Sequence, residues 1–395
     1  MGKSIRKRVA KFELEPDGFS IHTFELSCQI KNTRYREIKD YLYSLHTEDG
    51  GIVTYKDGSF IKCKAFSDYG INITLEKHSS KERQYRGMYI RVFVSPRRLL
   101  DPNTSYLGIL TPTRKSIDEV AEQFSALFED TPIPNKIDKY ILTRADLCTN
   151  IRCSSKKLFR EMVRVIHKLP TPPKYKREQH KTDTKGMSKA KKSAAVKADN
   201  KYNKHYFKVS CGGGALVIYD KTYQMSAEGL TEVAYEDYGC GVLRFECRLE
   251  RDKLRKVIDQ EKIKKTKQLL KHLISNSEDM MIDAFSRCFA EDDFCRLKEI
   301  ERTIRASRYH NATKDIMLEL SSRLSRGKIV DNVFERMEKD GRKFDRKDIL
   351  DRFEELGISP IPLWKNFCAE RLPSPITLLR GISDGKIKVD YVLIK

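Results

Sequence analysis

The sequence predicts an α+β protein, an antiparallel sheet with packed helices followed by an all-helical C-terminal part. Three observations predict it. Apolar and polar residues alternate with period two in several runs of the first part, as in GINITLEKH and MYIRVFVSP. Helical spacing takes over after Arg251, and no proline interrupts the chain from there to Ser359. Apolar residues make up 39% of the 395, enough for a core but lower than usual.

Residues 1–135 read as a β-rich half. GIVTYKDGSFIKCKAF holds two β-prone runs about a Lys56-Asp57-Gly58 turn. In GINITLEKH, Ile71, Ile73 and Leu75 share one side while Asn72, Thr74 and Glu76 share the other. MYIRVFV repeats the alternation and stops before Pro96. SIDEVAEQFSALFED predicts a helix capped by Ser116, with Val120, Phe124 and Leu127 on one face.

Residues 136–254 hold the second group of strands. ILTRADLCTNI predicts a strand from about Tyr140 to Ile151. Ser154 or Ser155 caps the helix that follows, whose stripe is Leu158, Phe159, Met162, Val163 and Ile166, and Pro170, Pro172 and Pro173 end it. From Lys174 to Lys208 there are 12 Lys/Arg against 3 acids and few apolar residues, which predicts a flexible basic loop centred on 174–204. KHYFKVS and ALVIYDKTYQM form a hairpin across Gly212-Gly213-Gly214, an acidic loop runs from Glu228 to Asp237, and VLRFECRLE follows as a strand.

Residues 255–395 read as helices. VIDQEKIKKTKQLLKHLI, SEDMMIDAFSRCFA, RLKEIERTIRASRY, KDIMLELSSRLS and VDNVFERMEKDG each carry a helical stripe. FDRKDILDRFEELG ends in a Gly357 cap before Pro360. Its surroundings, FDRKDILDRFEELGISPIPL, resemble the closing helix of a helix-turn-helix or winged unit, with an ordinary helical bundle as the alternative. No internal repeat at a fixed period is visible.

Charge narrows the function. There are 77 Lys+Arg against 56 Asp+Glu, a net +21. Unpaired charges are too costly to bury, so the surplus lies on the surface and favours a polyanion, nucleic acid first and anionic membrane second. No apolar run is long enough to span a bilayer, and the basic N-terminus lacks the apolar core of a secretory signal. The GKS near the start lacks the upstream glycine and strand of a phosphate loop. None of the ten cysteines forms a C-x-x-C pair or has zinc-like spacing, which predicts buried free thiols in a cytoplasmic protein.

Two strands look alike. LTRADLCTN puts Arg144, Asp146, Cys148 and Asn150 on one face, and VLRFECRLE puts Arg244, Glu246 and Arg248 on one face. If the strands are neighbours, Asp146 and Glu246 stand side by side, and two such carboxylates repel unless a cation or proton separates them. Mg²⁺ or Mn²⁺ accepts those oxygens and leaves room for phosphate, which Arg144, Arg244 and Arg248 can grip bidentately. Asp220 is a further oxygen donor in VIYDKTYQM, and Lys221 a phosphate contact. The alternative is that the R-x-D and R-x-E pairs are cross-strand salt bridges on an exposed face.

The succession of an R-x-D strand, a glycine hairpin with Y-D-K, and an L-R-F-E strand resembles the rolling-circle replication initiators of plasmids and mobile elements, the Rep_trans and filamentous-phage gene II types, which are related to the HUH endonucleases. The resemblance covers roughly Ile137 to Leu254. It implies a Rep/HUH-like sheet that nicks and joins single-stranded DNA, with a tyrosine joined to the 5′ end and a divalent metal on the phosphate. It assigns the metal site to Asp146 and Glu246, and Lys221 to the lysine of the Y-D-K motif. It also implies single-stranded or origin-hairpin DNA as partner, with a host helicase beside it. No H-x-H pair occurs, so the HUH metal motif itself is absent.

The nucleophile the resemblance calls for lies on a helix after the glutamate strand. A single tyrosine, Tyr309 in RASRYHNAT, falls between Gly239 and Asp390, flanked by Arg308 and His310. A sheet without a nucleophile would bind DNA without cutting it, in replication control or partition. A third expectation is an RNA-binding protein that stacks bases on Tyr89 and Phe93.

Overall fold

Strands form where the alternation predicts them, because each then buries one row of side chains and leaves the other polar. The structure, a computed structural model, describes residues 8–14, 18–45, 51–54, 60–78, 87–227, 229, 241–367, 369–383 and 389–393. Its strands are β1 (Arg8–Leu14), β2 (Ser20–Ile30), β3 (Ile52–Thr54), β4 (Phe60–Cys63), β5 (Ile71–His78), β6 (Gly87–Val94), β7 (Ile141–Cys153), β8 (Lys176–Glu178), β9 (Tyr206–Cys211), β10 (Gly214–Asp220), β11 (Val242–Glu250), β12 (Phe294–Cys295), β13 (Arg371–Leu372) and β14 (Val389–Leu393).

Among the described residues twelve strands join one sheet in the order β3-β4-β5-β6-β2-β7-β11-β10-β9-β8, while β1 follows β2 along the same edge of β7 and pairs with β14. Every pairing in the sheet is antiparallel. The order is palindromic. In the first half β2 leads into the helix Asn32–Ser44 and then a meander, β3 to β6, whose last strand returns beside β2. In the second half β7 leads into the helix Lys156–His167 and then β8 to β11, whose last strand returns beside β7. The chain is therefore a topological duplication, which the sequence, lacking a repeat, does not show.

The apolar face carries the core. Leu147, Ile151, Phe245, Cys247, Leu216, Ile218, Phe24 and Val92 are fully buried there. The helix Ser277–Ser286 lies over this face, with Phe285 edge-on to Phe245 at a centroid distance of 5.7 Å. Burying such a side chain contributes about 1.5–3 kcal/mol, against about 0–1 for an exposed ion pair, so this face holds the fold together. The helices Thr266–Ser275 and Ser277–Ser286 pack on β2, β7 and β11, so the region after residue 254 shares the sheet's core.

Several expectations change. Thr113, not Ser116, caps the helix Arg114–Leu127, its hydroxyl accepting from the Ser116 N–H. Ser155 caps the next helix as expected. The basic stretch is no simple loop, since it contains β8 and the helix Lys189–Asn203, capped by Ser188. That helix buries no residue, so apolar periodicity could not announce it; alanine and lysine propensity and the cap favour it instead. The C-terminal region is not all-helical, because β14 returns to the main sheet and β12 pairs β13. VIDQEKIKKTKQLLKHLI breaks into Arg251–Glu261 and Thr266–Ser275 at Lys262, whose φ is +53°. The turn at Lys56-Asp57-Gly58 and most of the acidic loop lie outside the described residues.

Candidate functional site

The polar face is centred on β2, β7, β11 and β10. The register sets Arg248 opposite Asp146, Glu246 opposite Cys148, and Arg244 opposite Asn150. Asp146 and Glu246 are therefore diagonal neighbours on adjacent strands rather than directly side by side. A β-bulge in β2 between Ile21 and Thr23 places both His22 and Thr23 on this face, with Thr23 opposite Asp146.

Asp146 is 2% exposed and fully engaged. Its Oδ1 accepts from Arg144 Nε at 2.9 Å and from Arg248 Nε at 3.1 Å. Its Oδ2 accepts from the Thr23 hydroxyl at 2.8 Å and from the second nitrogen of the Arg144 fork. This bidentate, charge-assisted grip offsets the desolvation of the carboxylate.

Arg244 is completely buried. Its Nε donates to Asn150 Oδ1 at 2.7 Å and its Nη2 to the Leu107 carbonyl at 2.8 Å. Its Nη1 lies 3.1 Å from His22 Nε2. Asn150 donates to the same Leu107 carbonyl at 2.6 Å. The backbone at Leu107 thus covers one end of the face, helped by a small apolar cluster of Leu107, Met225 and Val242.

Glu246 accepts from the Tyr219 hydroxyl at 2.7 Å and lies 3.8 Å from His22 Nε2. Burial, then the negative charge of Asp146, push the Glu246 carboxyl above its usual range. Burial, then the Arg244 charge, hold His22 well below the ordinary histidine value. Lys221 is nearly buried, donates to Gln224 Oε1 at 2.9 Å, and stands 6.0 Å from the Tyr219 ring centroid. Asp220 accepts from the Tyr223 N–H at 2.8 Å, capping the helix Lys221–Ala227, and pairs with His205 at 3.0 Å.

Four cations (Arg144, Arg244, Arg248, Lys221) meet three carboxylates at the centre of this face, Asp146, Glu246 and Glu25, the last opposite Arg144. The expected divalent metal does not fit the arrangement as placed. Both Asp146 oxygens are taken by cations and a hydroxyl, the positive charges outnumber the negative, and the described residues contain no group of three or more His, Cys, Asp or Glu able to hold a metal. The surplus favours an anion. Arg144 and Arg248, about a quarter exposed, are the members that a phosphate can reach, whereas Arg244 is spent on structure.

Tyr309 is not brought to this face. Its hydroxyl donates to Glu355 Oε2 at 2.6 Å within the helical region, and Arg352 lies over its ring at 5.0 Å. Burial, then the Glu355 carboxylate, push its pKa up to about 12, so it is a poor source of phenolate there. In FDRKDILDRFEELG, Asp345 caps the helix Arg346–Glu355. A cavity of about 730 Å³ beside that helix, lined by Pro170, Tyr175, Asp292, Phe334 and Pro360, lies apart from the polar network.

The expectation of buried free thiols holds for five of the eight described cysteines, while Cys28, Cys211 and Cys288 are half-buried. Cys63, Cys148, Cys153, Cys247 and Cys295 are buried free thiols, and burial pushes Cys148 and Cys247 up to about 12. No helix among the described residues is long and apolar enough to cross a membrane.

Sequence reasoning missed His22, Thr23, Tyr219 and the Leu107 carbonyl. Only Tyr219 left a signal, as the first residue of the Y-D-K triplet. In the first half of the duplication, Arg91 pairs Ser27 on β2 as Arg244 pairs Asn150 on β7, and Phe93 takes the place of Glu246. Glu246 thus has no acidic counterpart on β6, and the first half's Arg91 pairs instead with Glu76 at 3.2 Å and Glu25 at 3.7 Å. No protein-family model and no curated protein matches the chain.

Proposed function

We propose that the chain is a replication initiation protein of a mobile element that holds single-stranded DNA on the polar face of its sheet. One observation carries this reading: a surplus of arginine and lysine is fixed on one sheet face, with Arg144 and Arg248 preorganised by Asp146 and still open to solvent. Guanidinium groups held in one orientation lose little freedom on gripping a phosphodiester. The resemblance of the R-x-D, Y-D-K and L-R-F-E strands to rolling-circle initiators selects DNA among polyanions, and the net +21 supplies the long-range attraction.

A second reading, a DNA-binding protein that does not cut, is favoured by the placement of Tyr309, whose hydroxyl is committed to Glu355. One experiment addresses both. The protein is incubated with labelled single-stranded DNA from its own locus and Mn²⁺, and adducts that survive SDS are sought. An adduct lost in Tyr309→Phe supports nicking by that residue. An adduct lost only in another tyrosine variant keeps the class and moves the nucleophile. Salt-sensitive binding with no adduct on any origin-like strand supports the second reading, and no binding at low salt overturns both.

A further inference from the structure

We propose that a cluster of aromatic rings beside the charged network is a stacking site for the bases of single-stranded DNA. This rests on the reading above, that the neighbouring face holds the phosphates.

The cluster continues the polar face outward. Tyr219, opposite Arg244 on β11, is also opposite Tyr206 on β9, at a ring distance of 6.1 Å. Tyr206 meets Tyr202 at 5.6 Å, and Tyr202 meets both His180 at 4.7 Å and Tyr223 at 6.2 Å. Tyr223 stacks on His205 at 3.9 Å with an interplanar angle of 6°. The six rings therefore form a branched cluster centred on Tyr202, which lies on the basic helix Lys189–Asn203.

Three features set these rings apart from core aromatics. Tyr202, Tyr206 and Tyr223 do not belong to the main apolar core or to the partly buried residues packed on it. All three, with His205, remain partly exposed. Lys201 lies over the Tyr223 ring at 5.7 Å, on a helix that also presents Lys189, Lys191, Lys192 and Lys197. Aromatic rings at a cationic surface suit a strand whose bases are unpaired: the charges take the backbone and the rings take the base faces, whatever the sequence. Duplex DNA hides those faces, so the site selects single strands.

The same rings also help to seat the basic helix, where His180 and Thr182 bind Asp199. The test must separate the two roles. Full-length protein is titrated, by fluorescence anisotropy, with an oligothymidylate of about 20 nucleotides and with an abasic strand of equal length, longer than the roughly 4–16 nucleotides that an OB-fold covers. The wild type is expected to prefer the base-bearing strand by on the order of tenfold or more. Tyr223→Ala and Tyr202→Ala are expected to shrink that preference towards unity while leaving abasic-strand affinity unchanged, and the Tyr→Phe variants to keep it. Equal wild-type affinity for the two strands overturns the stacking site and leaves the phosphate reading standing. A Tyr→Ala loss that falls equally on both strands also overturns it, because the rings then act only as support. Absence of binding to either strand overturns the phosphate reading and the stacking site together.

Discussion

Replacing Asp146 by asparagine separates a carboxylate that organises arginines from one that holds a metal. In the structure the side chain accepts the Arg144 fork, Arg248 and Thr23. Hydrogen bonds to charged groups contribute about 1.5–3 kcal/mol each, and an asparagine keeps one acceptor oxygen. The two arginines are 28% and 21% exposed, so they recover part of their hydration when released. The expected loss of folding stability is therefore about 2–4 kcal/mol, read by urea denaturation with circular dichroism. The effect on DNA has the opposite sign. One negative charge disappears between two cations while the remaining amide oxygen still orients an arginine, so affinity for single-stranded oligothymidylate is expected to rise a few-fold at low salt. Unchanged stability would refute the network described for Asp146. DNA binding that weakens in a folded variant only when Mn²⁺ is present would show that the carboxylate acts on the ligand side, as a metal ligand would.

Arg248→Ala is expected to weaken single-strand binding at every sequence and to lower the slope of log affinity against log salt by about 1, measured by anisotropy across a salt series. EDTA is expected to leave single-strand affinity unchanged, and a Mn²⁺-dependent affinity would contradict the charge balance of the face. Stability should fall with acid through His22: its folded value lies below the unfolded 6.5, so its contribution is intact above pH 6.5 and is lost as the pH falls below it. Glu246, raised in the fold, works the other way, taking up its proton first and offsetting part of that loss as the pH approaches the ordinary glutamate range. His22→Asn should flatten the decline below pH 6.5 in denaturation curves, and Glu246→Gln should steepen it. Tyr309→Phe should cost about 0.5–1.5 kcal/mol through the lost Glu355 hydrogen bond and leave single-strand affinity untouched.

Much of the sheet was legible because burial of one face imposes alternation, and alternation is visible residue by residue. Pairing of the R-x-D and L-R-F-E strands was legible too, since both carry the same polar order against an apolar back. The register was not, and it decides the chemistry: Arg248, rather than Glu246, lies opposite Asp146. His22 and Thr23 escaped because a bulge adds one residue to an alternating run without changing its composition. The helix Lys189–Asn203 escaped because it buries nothing. The duplication escaped because counterparts diverged, Phe93 standing where the second half has Glu246. Tyr309 could be singled out by counting tyrosines, but its partners Glu355 and Arg352 come from a helix more than forty residues onward, which spacing does not reveal.

The central claim is that single-stranded DNA lies on the polar face of the sheet. Photocrosslinking a thymidine-analogue strand to the full-length protein, followed by mapping of the modified peptides, tests it most directly. The account predicts crosslinks in peptides of β2, β7, β11 and the segment from Lys201 to Tyr223. Crosslinks confined to the helices between Leu297 and Glu355 would contradict it.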